Sequence, residues 1–350
     1  HPWEAEITNP LYMNRITSEM NAYAREADVI IMQMLHLESS LYTLYALKDA
    51  YPNTPILAEI DDNMVDTPEY NPAIQVYVPG SPFTEVAIEQ FKNSDGMIVS
   101  TPYLKEVYSE YNEHIYVVPN SIDTVLWGKA RKESRPGIRI GWAGGASHEE
   151  DLRVIEPIFD KLLAKYKDLS FVFVHGVPPF LRDKKGIEHI TKWARIDRYP
   201  QHIASLDWDI ALAPLKDNAF NRGKSNLRWL ESAALGIPCV ASNVGHFKET
   251  IRHGEDGFLA DSADDFVTHI STLIEDKKLR HQVGARAKAR VDQDFNVDKT
   301  AAQYVSYLEE VIAKGGVKTP PSLLKGIEDD IKPMPMLAEG EEPKLEEVVT

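Results

Sequence analysis

The sequence predicts an α/β protein made of two doubly wound domains with parallel sheets. Three observations carry that prediction. Short, nearly continuous apolar runs alternate with helix-period stretches, and such runs suit strands covered on both faces. The alternation fills two blocks separated by a charged, apolar-poor segment at 128–137. The length, 350 residues, suits two domains of ordinary size.

In the first block the opening strand spans 28–35, where Gln33 alone interrupts an apolar run from Val29 to Leu35. A helical stretch over 39–50 stops at Tyr51-Pro52-Asn53. A second strand at 55–60 closes on Asp61-Asp62-Asn63, and a third covers 96–100. The helix at 102–111 opens with Pro102, which suits a first helical position because no N–H is needed there. The fourth strand, 115–118, closes on Pro119-Asn120-Ser121-Ile122-Asp123.

The pattern restarts with a strand at 138–142 and a Gly-rich turn at 143–147. A helix near 148–151 follows, its acidic first turn complementing the helix dipole. Further strands fall at 171–174, 210–213 and 239–241, and helices at 225–235, 264–275 and 277–291. The resulting plan is a first domain over 1–130, a second over 131–295, a helix at 296–313 packing back toward the first domain, and an acidic, Pro-rich tail at 314–350 with little to bury. Residues 1–27 show a helical stretch but no clear opening strand or Gly-rich turn. The chain does not begin with Met. Both features read as a processed, truncated or reduced first domain.

Lys plus Arg number 38 and Asp plus Glu 54, a formal charge of −16. That balance argues against a general nucleic-acid or anionic-membrane binder, though not against a local basic pocket. The single cysteine, Cys239, excludes an intramolecular disulfide framework and a cysteine-based zinc site. Its apolar surroundings, Ile237 to Ala241, mark a buried structural thiol and fit a reducing compartment. No apolar run reaches the roughly 18–20 residues of a membrane span, and the first residues lack a signal-peptide pattern. The expected location is cytoplasmic or peripheral at a membrane.

Ligands of open α/β sheets bind at the carboxyl ends of the strands. Gly144-Gly145 stands at such an end, where glycines let a backbone approach a diphosphate. The pair lacks a full dinucleotide fingerprint, and a plain tight turn explains it equally well. The segment from Phe220 to Pro238 is more informative. Arg222, Gly223, Lys224, Ser225 and Asn226 precede a helix and can wrap an anion, with Lys224 as a point charge and Arg222 as a fork. Ser225 is a candidate cap. Leu227, Leu230 and Ala234 share one face and form the expected core stripe, with Glu231 at its edge. The alternative is a basic loop beside a solvated glutamate.

The run from Lys224 to Ser242 resembles the donor-binding signature of the family 4 retaining glycosyltransferases (glycosyl transferases group 1). There a glutamate is followed by a small-residue helix end, Gly-x-Pro, a strand and Ser. Val118 to Asp123, Ile140 to Gly144, Asp209 to Pro214 and Gly254 to Leu259 resemble the family's other landmarks in order. The resemblance covers about 28–312.

It implies the GT-B fold, two Rossmann-like domains facing across a cleft. It further implies transfer of a sugar from a nucleotide-diphosphate-sugar, UDP or GDP, to an acceptor hydroxyl with retention, and neither a tightly bound cofactor nor a metal. Glu231 would bond the ribose. Gly144, Gly145, Arg222, Lys224, Ser225 and Asn226 would line the diphosphate and donor sugar.

Two departures stand out. The family's earlier glutamate, eight positions before Glu231, is Gly223 here. The Arg and Lys that many relatives carry near 143–151 are replaced by His148 and acids, which shifts charge neutralisation toward Lys224. Where relatives end a first-domain strand in a catalytic-site histidine, this chain has Asp61-Asp62-Asn63. Asp61 or Asp62 would orient an acceptor hydroxyl or accept its proton, completing a catalytic set with Lys224. The other readings of the acidic pair are a structural turn or a metal-binding pair. His36, Asn14 and Arg15 are weaker acceptor-side candidates. Trp142 and Trp193 either stack on a base or sugar or pack inside. A sugar-nucleotide epimerase or hydrolase is an alternative. So is a non-catalytic nucleotide-sugar or glycan-binding module, kept alive by Gly223. A dehydrogenase is the weakest rival. Glycan, lipid, protein, small molecule and modified nucleobase all stay open as acceptors, and so does the oligomeric state.

Overall fold

A computed structural model describes residues 18–33, 38–75, 77–131, 135–192 and 194–316. Asn14, Arg15, His36, Trp193 and the tail from 317 onward lie outside the described residues. The first part of the chain forms α1 (Ser18–Glu26), β1 (Ile30–Gln33), α2 (Glu38–Ala50), β2 (Ile56–Ile60), α3 (Pro82–Asn93), β3 (Gly96–Val99), α4 (Pro102–Tyr108) and β4 (Ile115–Val117). Its sheet is parallel in the order β1-β2-β3-β4. Sequential order and right-handed crossovers together send the connecting helices to one face. On that face Leu44, Leu47, Phe91, Leu104 and Tyr108 pack against Ile56, Ala58, Ile60, Met97 and Val99. Leu57 and Ile98 alternate with these residues and turn to the opposite face.

The chain continues through α5 (Thr124–Gly128), β5 (Ile138–Gly144), α6 (Glu149–Arg153), α7 (Glu156–Lys165), β6 (Leu169–His175), β7 (Ile187–Ile190), α8 (Tyr199–Ser205), β8 (Ile210–Ala213), α9 (Ala219–Arg222), α10 (Leu227–Ala234), β9 (Cys239–Ser242), α11 (Gly245–Thr250), β10 (Phe258–Ala260), α12 (Ala263–Glu275), α13 (Lys277–Asp294) and α14 (Val297–Lys314). The second sheet is parallel in the order β10-β9-β8-β5-β6-β7. Its two faces carry separate cores. Trp229, Leu230, Ala287 and Val291 from α10 and α13 fill one, and Phe159, Leu162, Phe266 and Ile270 from α7 and α12 fill the other.

Two strands of this sheet were not expected from the sequence. β7 carries Glu188 and His189 inside a short run, and Arg139 of β5 holds Glu188 in a two-pronged pair at 2.8 and 2.9 Å. β10 has only three residues. α10 ends as its sequence dictates. Gly236 takes φ +68, its N–H reaches Ala233 O at 2.8 Å, and Ile237 N–H reaches Ser232 O at 2.9 Å, a Schellman closure followed by Pro238.

The last helix returns to the first sheet. Leu308 and Val311 of α14 pack with Leu57 and Ile98, and Gln303 Nε2 donates to Val117 O at 3.0 Å. The return begins where Ile122 N–H reaches Phe295 O at 2.8 Å and Val297 N–H reaches Ile122 O at 3.0 Å. The outer face of the first sheet is thus covered by a helix that follows the second domain in sequence.

Candidate functional site

The strand order of the second sheet reverses between β5 and β8. Crevices beyond the carboxyl ends of strands at such a point are where open α/β sheets take ligands. α10 faces this crevice. Arg228 and Glu231 lie one turn apart on it and so share a face. With Ser232 they meet Trp142, Ala143 and Tyr199 around a narrow cavity of about 20 Å³, room for about one water.

Burial pushes the Glu231 carboxyl up to about 7, against the opposing pull of Arg228 and the Tyr199 hydroxyl. The guanidinium end of Arg228 is buried, although the residue as a whole keeps some surface. Burial lowers its pKa, while Asp151, Glu231 and Tyr199 favour the cation. The guanidinium stands over the Trp142 ring at 5.0 Å. Gly144 makes that possible, because a Cβ there would lie 2.6 Å from Trp142 Cζ2 and 2.7 Å from Arg228 Nη2. Trp142 is itself fully buried.

Beside the crevice, His148 Nδ1 and the buried Asp151 are 2.7 Å apart. Asp151 also accepts from Asn221 Nδ2 at 2.7 Å and from the Lys216 N–H at 2.8 Å, which fixes the start of the loop before α10. Burial, and then Arg228, hold the pKa of His148 below the ordinary histidine value, with Asp151 opposing them.

That loop docks on the first domain. Lys224 Nζ meets Asp62 Oδ1 at 2.7 Å and lies 4.4 Å over the Phe220 ring. Thr101 Oγ1 donates to Gly223 O at 3.3 Å, Asn63 Nδ2 to Ala219 O at 3.2 Å, Asn120 Nδ2 to Ser225 Oγ at 2.7 Å, and Asn218 Nδ2 to Tyr70 Oη at 2.7 Å. Gly223 is pressed into this contact. A Cβ would sit 2.8 Å from Leu104 Cδ2 and 3.2 Å from Asn63 Cβ. Any side chain at this position meets Leu104 and Asn63 at once. Burial, then the neighbouring Asp62, raise the pKa of Asp61, with Lys224 lowering it.

Two groups of sequence-nominated residues are thus brought together. Asp61, Asp62, Lys224 and Ser225 meet at the domain contact, and Glu231 lines the crevice with Gly144 packed against Trp142 and Arg228 beside it. Others lie apart. Arg222 is half exposed and paired with Asp217 at 2.7 Å. Gly145 is exposed, with open space around its Cβ position. Asn226 is fully buried, its Nδ2 on Thr250 Oγ1 at 3.2 Å.

Two details of the α10 reading need correction. Ser225 does not cap the helix: Asn226 holds the cap position, and Ser225 Oγ receives the Asn120 amide instead. Leu227 is 38% exposed, and the core stripe is Trp229, Leu230, Ala233 and Ala234, because the helix starts later and is rotated from the expected face. Sequence reasoning missed Arg228, Tyr199 and Asp151. Arg228 reaches the site only through the rotation of α10, and Tyr199 and Asp151 only through the fold. Cys239 is buried, its thiol pushed up to about 12. Among the described residues, no group of three or more His, Cys, Asp or Glu is placed to hold a metal ion, and no helix is long and apolar enough to cross a membrane.

Residues 153–306 match a family model described as glycosyl transferase-like. N-acetyl-alpha-D-glucosaminyl L-malate synthase of Bacillus anthracis is 32% identical over 85 residues, 24% of this chain and 22% of that protein. A GDP-mannose-dependent alpha-(1-6)-phosphatidylinositol monomannoside mannosyltransferase of Mycobacterium tuberculosis is 24% identical over 154 residues, 40% of each chain. The chain thus spans well under half the length of these relatives. Among solved structures, Anabaena HepE in complex with UDP and glucose has a TM-score of 0.60 at 18% identity, covering 82% of this chain and 78% of that one. Sucrose-phosphate synthase of Thermosynechococcus elongatus has a TM-score of 0.63 at 16% identity, covering 84% and 76%. The two parallel sheets, the reversed strand order with Glu231 at its crevice, and the likeness to these solved structures converge on the fold: the chain has the GT-B fold, and residues 153–306 of its second domain are similar to glycosyl transferases.

Proposed function

We propose that this protein is a glycosyltransferase of family 4 that moves a sugar from a nucleotide-diphosphate-sugar to an acceptor hydroxyl with retention at the anomeric carbon. The observation that carries the reading is the position of Glu231, on the crevice at the reversal of strand order, with cations on the same crevice and on the loop leading to it. Glu231 bonds the ribose hydroxyls and so fixes the donor. Negative charge develops on the departing diphosphate, and Lys224 on the docking loop and the N–H groups of the turn at Gly144 and Gly145 offset it. Asp61, raised by burial and by Asp62, orients the acceptor hydroxyl or takes its proton. Arg222, turned to Asp217, receives no role. The bound species are a UDP- or GDP-sugar and an acceptor, with no resident cofactor.

A second reading rests on Gly223. With no carboxylate at that position, and Leu104 packed where one would stand, the site suits a module that binds nucleotide-sugars without turnover.

A thermal-shift panel of UDP-, GDP-, ADP- and dTDP-sugars on wild type and Glu231→Ala tests the donor site, since a ligand of the folded state raises the melting temperature. The expected result is a shift with one nucleotide class, lost in the variant. No shift with any donor overturns the reading. Product analysis of the bound donor, alone and with acceptors, then separates transfer from hydrolysis, epimerisation and binding without turnover.

A further inference from the structure

We propose that Arg228 receives the phosphate nearest the nucleoside when a nucleoside diphosphate binds. The proposal deepens the donor-site reading above and rests on it. Its starting point is an unfinished set of contacts. Arg228 Nη1 is sealed from solvent and has no hydrogen-bond partner, an arrangement folded proteins seldom leave in place unless a bound group completes it.

The anions nearby do not complete it. Asp151 is engaged by His148, by the Asn221 side chain and by the Lys216 N–H. Burial favours the neutral form of Glu231. The guanidinium is nevertheless fixed in place, stacked on Trp142 and admitted by the missing Cβ of Gly144. A planar fork held this way is preorganised for phosphate oxygens. It stands at the end of β5, on the crevice itself.

The spacing fits a nucleotide. Arg228 and Glu231 are three residues apart on α10, a rise of about 4.5 Å. That is a separation of roughly one sugar ring, so a ribose held at Glu231 extends its 5′-phosphate toward Arg228. This position lies on the helix itself, whereas the β5–α6 turn, with His148 and an acidic first turn, offers little cationic charge.

The test is calorimetric titration of UDP against uridine, and of GDP against guanosine, on wild type, Arg228→Gln and Arg228→Lys. Nucleosides too weak to titrate directly are read by competition. For the nucleotide that wild type binds, Arg228→Gln is expected to weaken the diphosphate by at least about tenfold, with Arg228→Lys in between and the nucleoside within about twofold of wild type. Equal losses for nucleoside and diphosphate would mean that Arg228 acts only by positioning Glu231, and would overturn the proposal. So would an unchanged diphosphate affinity. If Arg228→Gln does not fold, the same ratio measured on Arg228→Lys decides. If wild type binds neither diphosphate, the donor-site reading itself fails and takes this proposal with it. Binding by wild type with an unchanged ratio in the variants overturns the Arg228 assignment alone.

Discussion

Because burial holds the Glu231 carboxyl at about 7, against an ordinary value of 4.5, the native state keeps a proton there that the unfolded chain has already released. This group's stabilising contribution is complete below about pH 4.5 and is lost as pH rises through about 7. Thermal midpoints scanned from about pH 5 to about pH 8 should fall less in Glu231→Gln than in wild type, and parallel curves would contradict that assignment. Ligand binding should run the other way, because an ionised carboxylate accepts ribose hydroxyls best. Nucleoside diphosphate affinity is expected to rise through about pH 7, and a flat profile would remove Glu231 from the ribose. Cys239 offers a separate check. With its thiol pushed up to about 12 inside the core, alkylation of the native protein should proceed only as fast as unfolding exposes it. Glu231 and Lys224 were legible as site candidates because a carboxylate before Gly-x-Pro and a lysine before a helix stand out in a string. Arg228 was not, because a polar residue between Leu227 and Trp229 reads as a solvated helix position until the rotation of α10 is known.

At the scale of elements, two close approaches make sharp predictions. A Cβ on Gly284 would lie 2.1 Å from the Gly236 carbonyl oxygen, where α13 crosses the closing turn of α10. Backbone cannot yield as a side chain does. Gly284→Ala should therefore cost about 1–3 kcal/mol or more, read as a lowered denaturant midpoint at unchanged slope. Gly223→Ala meets the flexible end of Leu104 at 2.8 Å and should cost less, whereas Gly223→Glu should push the loop off the first domain. The strands that read clearly in sequence are those buried on both faces, such as β3 and β8. Edge strand β7 did not, because Glu188 belongs there only once Arg139 reaches across to it. β10, with three residues, is too short to declare a period.

At the scale of the molecule, the docking loop and the returning helix both join the domains. The Lys224–Asp62 pair is partly solvated, with 22% and 26% of its side chains exposed, so it contributes on the order of 1 kcal/mol or less. Asp62→Asn alone should leave the small-angle scattering profile near wild type. Combining it with Thr101→Ala and Asn120→Ala should widen the distribution of domain separations; an unchanged profile would mean that the contacts left in place, Asn63 and Tyr70 on the loop and α14 on the sheet, fix the arrangement. The return of α14 also has a consequence in time. A ribosome releases the first sheet long before Leu308 and Val311 exist to cover Leu57 and Ile98. Throughout synthesis of the second domain, the nascent chain carries an apolar sheet face awaiting its lid. The first domain is therefore begun first and finished last. The bare sheet is the surface on which a chaperone would hold the growing chain, or on which two such chains would stick together.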